Sequence, residues 1–170
     1  MTADLWGTDR QRQNEAYAAS MAETVPGVPW DELVAHLADK DNHNRAIAAQ
    51  LLCNHAAQDP TGRIIGADLD ALVAVTWDER FVTARHCLQS LWKVGLGSDA
   101  ARAAVVTALA RRYRDSTSEK NGTLVRNDIV ESLRKLHASM ADPVIESTAR
   151  ELIDEEPDLK YRRKYARHWK

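Results

Sequence analysis

Arg45, Arg85 and Arg126 fall 40 and 41 residues apart, and their surroundings recur with them. Three positions after each stand Ala48, Leu88 and Ile129, and seven positions after stand Leu52, Trp92 and Leu133. Offsets of three and seven lie on one face of a helix. The register is imperfect. Two positions after, Ile47 and Cys87 give way to Asp128; six positions after, Leu51 and Leu91 give way to Ser132. Between the arginine segments, Leu33, Leu72 and Leu109 return at similar spacing. The implied unit is a pair of antiparallel helices, about 40 residues long, used three times. One such pair cannot hide its apolar face alone, so the units must lean on one another.

Turn signals divide the rest of the chain. A lead-in helix is expected over 9–24, broken by VPGVP at 25–29, because a proline disfavours helix in the residue before it. The repeats are placed at 30–58, 67–95 and 99–139, with a shorter capping pair at 142–170. DPTG at 59–62 separates the first two. The second helix of the middle unit is expected to run from Asp78 to Val94 and to stop at Gly95–Gly97, where glycine suits a left-handed cap. Ser98–Asp99 and Asp142–Pro143 read as helix starts. No stretch shows sustained alternation of period two, so the chain is expected to be all-α.

VRNDIVESL, with NRAIAAQLL and ARHCLQSLW fitting more loosely, resembles HEAT-type repeats of the armadillo-like class. Those repeats carry a Val-Arg pair in their second helix, a small residue three later and a Leu four further on. Ile129 departs from the small residue. The resemblance spans about 30–138, and more weakly 142–170. It implies a single domain, 1–170, folded as an α–α superhelix of about four helical pairs. It also implies a concave surface lined by second helices. The fold says little about task.

Composition narrows the setting. With 44% hydrophobic and 28% charged residues the chain is globular rather than disordered. No window approaches a membrane span, the first residues lack a secretory core, and Cys53 and Cys87 show no paired spacing. The expected setting is cytoplasmic, with reduced thiols and no membrane partner.

Candidate chemistry is sparse. In TARHCLQSLWKV, the roughly 100° turn per residue points Arg85, His86 and Cys87 three ways. Cys87 is expected in the core, His86 in solvent. The six histidines form no metal-binding motif, there is no phosphate-cradling glycine loop, and no cofactor or metal is expected. A weaker resemblance to HEAT-like DNA alkylation-repair glycosylases singles out Trp77, Asp78 and Trp92. It implies two aromatic walls and a carboxylate that steadies the charge on a departing alkylated base. Against this, Asp78 also fits a helix N-cap, and Trp92 fits a core register.

Charge is polarised. The first 158 residues hold all 25 acids and 17 of the 23 Lys and Arg, a balance of −8; residues 159–170 carry the other six cations and no acid. Tyr161, Tyr165 and Trp169 recur every four residues there, and Lys160, Arg162, Arg163, Lys164, Arg167 and Lys170 fill the remainder. This is the pattern of a capping helix with a wet basic face, or of a docking helix for nucleic acid. The function expected from the sequence is a non-catalytic scaffold or adaptor that binds another protein. Its tentative contacts are Lys160, Arg162, Arg163, Lys164 and Arg167, with Arg45, Arg85 and Arg126 serving either as contacts or as internal bonds. The alternatives are the glycosylase and nucleic-acid binding through the basic end.

Overall fold

The computed structural model describes residues 2–23 and 27–170. Among them every regular element is helical and no strand occurs. Short α1 (Thr2–Leu5) and α2 (Arg10–Ala22) lead into α3 (Trp30–His36) and α4 (Asn42–Ala57). α5 (Ala67–Ala74) runs into a 3-10 turn, Val75–Trp77. α6 (Phe81–Leu88) is followed by a 3-10 segment, Leu91–Leu96. Then come α7 (Asp99–Asp115), α8 (Gly122–Ser139), α9 (Pro143–Glu155) and α10 (Leu159–Ala166), which ends in a 3-10 turn, Arg167–Trp169. Thr24, Val25 and Pro26, the end of the expected lead-in helix and the start of its breaker, lie outside the described residues.

Side-chain caps explain five of the helix starts. The side chains of Asp9, Asp41, Ser98, Asp142 and Asp158 each accept a hydrogen bond from a first-turn N–H. Pro143 sits where its missing N–H costs nothing. Packing then joins the helices. α4 lies against α3 and α6, α6 against α8, and α8 against α10. α3 meets α5 and α7 meets α9, but α5 and α7 stand apart. One hydrophobic cluster runs through the whole set, from Leu5 through Leu51, Leu88 and Leu133 to Trp169.

The expected helix over 78–94 is divided. Asp78 accepts from the Arg80 N–H at 2.8 Å, which turns the chain and starts α6 at Phe81. The other end breaks at Ser90, whose hydroxyl bonds back to the His86 carbonyl at 2.9 Å. Beyond it the tighter 3-10 segment packs against α4, α7 and α8. The glycine cap expected there is also corrected. Gly97 has φ −72°, on the ordinary side. It is glycine because a Cβ would stand 2.1 Å from the Ala56 carbonyl oxygen. Trp92, expected in the core, is only partly buried at its edge.

Candidate functional site

The three repeat arginines are engaged within the molecule. Arg45, on α4, grips the Asp78 carboxylate at 2.5 and 2.9 Å. Arg85, on α6, grips Asp128 at 2.8 and 2.9 Å. Arg126, on α8, reaches Glu156 at 2.7 Å. Each therefore spans from its own helix to an acid on, or just before, the next helix in the α4–α6–α8–α10 series. The acids are shut away: their side chains are 4%, 0% and 2% exposed. Burial pushes the Asp78 carboxyl up, but the Arg45 bonds and the Arg80 N–H outweigh it, and its net pKa is lowered. Hydrogen bonding to Asp78 and Asp128 holds the pKa values of Arg45 and Arg85 above their usual value. The two misfits of the repeat register are explained here. Asp128 is the Arg85 partner, and the Ser132 hydroxyl donates to the Leu88 carbonyl at 2.7 Å.

The gap between α5 and α7 is an open groove of about 870 Å³. One wall is Ile65, Leu69, Val73 and Trp77, each four residues from the last. The other is Ala104, Ala108 and Arg112, at the same interval. Both walls run in the same direction. A Cβ on Gly62 would lie 3.8 Å from the Ser98 hydroxyl at one end, and Arg112 stacks on the Trp77 ring at 4.0 Å at the other. On the α7 side the lining runs from Ala103 to Asp115, so twelve helical steps of about 1.5 Å each make a trough about 18 Å long. Ile65 and Trp77 remain 44% and 48% exposed, unusual for side chains so large.

Arg112 fixes the Trp77 end. It is buried, donates to the Thr76 hydroxyl and carbonyl at 2.8 and 3.0 Å, and forks onto Glu119 at 2.6 and 2.9 Å. The groove rim carries Asp70 on the α5 side and Arg111 on the α7 side. A second groove, about 640 Å³, lies between α7 and α9 and shares Ala103, Thr107 and Arg111 with the first. Sequence inspection singled out Trp77 but not its companions. The run Ile65–Leu69–Val73–Trp77 was available as a signal, because it overshoots α5 at both ends. Ala108 faces the groove, and a buried Arg112 has no signature in the sequence.

Trp77, Asp78 and Trp92 are not brought together. Trp77 lines the groove, Asp78 is closed off by Arg45 and the Arg80 N–H, and Trp92 stands on the separate 3-10 segment. The histidines are likewise dispersed. His36 stacks on Trp6 and bonds Asp39 at 2.7 Å, His55 bonds the Val28 carbonyl at 2.7 Å, and His43 is exposed. Among the described residues no group of three or more His, Cys, Asp or Glu could hold a metal. Cys87 is buried with its thiol donating to the Leu72 carbonyl, and His86 is exposed. Burial pushes both thiols up, Cys53 to about 12 and Cys87 well above its ordinary value.

The basic end splits by face. Tyr165 and Trp169 are buried, donating to the Thr123 and Val130 carbonyls at 2.9 and 3.2 Å. Lys160, Arg163, Lys164, Arg167 and Lys170 are exposed, while Arg162 is half-buried and donates to the Glu156 carbonyl at 2.9 Å. Among the described residues no helix is long and apolar enough to cross a membrane. No family model, curated protein or solved structure matches this chain.

Proposed function

We propose that this chain is a non-catalytic scaffold, a HEAT-like superhelix of helical pairs, that holds an amphipathic helix of a partner protein in the α5–α7 groove. The observation that carries this is the pair of parallel walls with four-residue spacing. Their length matches about three turns of helix. Small residues on one wall, Ala104 and Ala108, leave room for a guest's larger side chains, and Trp77 on the other gives an aromatic anchor. The rim selects the guest by charge. Asp70 favours a cation on the α5 side, while on the α7 side Arg111 and Asp115 lie 3.9 Å apart and offset one another. The family resemblance had placed binding on the second helices; the apolar opening lies instead between α5 and α7, the first helices of their units.

A photo-crosslinker at Thr107, used in native extract, tests this. The expected result is a protein crosslinked through an amphipathic helical segment and lost from an Ala108→Glu variant. Equal crosslinking by that variant, or a crosslinked segment without helical apolar spacing, overturns the proposal.

A further inference from the structure

We infer that the exposed face of α10 is a binding site for the phosphate backbone of double-stranded nucleic acid, independent of sequence. Lys160, Arg163, Lys164 and Arg167 recur at intervals of three, one and three, which is one stripe of a helix, and Lys170 extends it. All five are exposed, and among the described residues none forms an ion pair. The neighbouring acids do not neutralise them. Glu155 is held by Arg114 at 2.7 Å, Glu156 by Arg126 at 2.7 Å, and Asp158 caps α10 through the Lys160 N–H at 2.8 Å. The cations are thus without ion pairs while the three carboxylates nearest in sequence are engaged elsewhere; exposed Glu151 and Asp154 lie further back, on α9.

Charge density and the inward aromatics choose the partner. From Lys160 to Lys170 the five cations cover about 15 Å, roughly one every 4 Å. A nucleic-acid strand presents a phosphate about every 3.4 Å, a density that an acidic protein surface rarely sustains. Tyr165 and Trp169 are buried, and half-buried Tyr161 and exposed Leu159 are single groups beside five cations, too few to stack a run of single-stranded bases or to enter a bilayer. What remains is contact with the backbone of a duplex. The acidity of residues 1–158 confines that contact to this end.

Anisotropy of a labelled DNA duplex with the full chain tests the site. Five phosphate contacts predict a log–log salt slope near −4.5, so affinity falls about 500-fold between about 50 and 200 mM salt. Arg163→Gln/Lys164→Gln/Arg167→Gln, with its thermal midpoint checked, cuts that fall to about 12-fold and weakens binding at low salt. Arg111→Gln, an 85% exposed cation elsewhere, leaves binding unchanged, as does Ala108→Glu in the groove. Absence of duplex binding at low salt overturns the inference, as does binding indifferent to the triple change. So does equal affinity for polyglutamate or for phosphatidylserine vesicles.

Discussion

Arg126 places a full charge where almost no water reaches, and its partner Glu156 is still more enclosed. Removing one member of such a pair leaves the other buried and unanswered, which outweighs the modest net value of the intact pair. Arg126→Ala is therefore expected to lower unfolding free energy by about 3–5 kcal/mol in denaturant titration. Arg126→Met combined with Glu156→Gln should recover much of that loss; equal or additive losses would show that the two side chains do not act as a pair. The sequence marked Arg126 through its recurrence but hid Glu156, which belongs to no repeat position. Asp128 and Ser132 were legible only as faults in a pattern, because a buried polar residue becomes intelligible once its partner across the interface is known.

At the scale of elements, several helix starts were readable because they depend on neighbours in sequence. Asp9, Ser98 and Asp142–Pro143 start helices as their types require. The division of the middle unit at Ser90 was not readable, because distant elements shape it: the segment beyond packs onto α4, α7 and α8. Its two glycines differ in kind. A Cβ on Gly95 would meet only the Leu136 side-chain tip, at 2.8 Å, whereas one on Gly97 would meet backbone oxygens of Ala56 and Asp59 at 2.1 and 2.6 Å. Gly97→Ala should thus cost at least about 3 kcal/mol, and Gly95→Ala less, since leucine can change rotamer and a carbonyl cannot. Thermal melts of the two variants check the order; a milder effect at Gly97 would mean that the α4–α5 connection yields.

For the whole molecule, the all-α class followed from periodicity alone, while the groove depended on a spacing between α5 and α7 that no local pattern encodes. Acid should reveal how widely the ion pairs are shared. The Arg10 hydrogen bond is the main influence holding the Asp41 carboxyl down at about 2, and Asp78 is lowered as well. Both sit below the unfolded value of about 3.9. Their stabilisation is complete above that value; that of Asp41 fades as pH falls from about 4 towards 2, and that of Asp78 as pH falls below about 4. Asp78→Asn should lower the thermal midpoint at pH 7, and the gap to wild type should narrow as pH falls below about 4. A gap that stays constant would show that the Asp78 charge contributes nothing.

The three arginine clasps all lie along α4, α6, α8 and the approach to α10, whereas the α5 and α7 sides come together at the two ends of the groove, where Arg112 bonds Thr76 and where Gly97 closes on the Ala56 and Asp59 backbone beside Gly62. Fixed along one edge and parted along the middle of the opposite one, these helices resemble a book bound at its spine and stitched at the corners of its covers. The proposed guest would thus meet a trough whose two ends are already set, with every buried charge still in its partner's grasp.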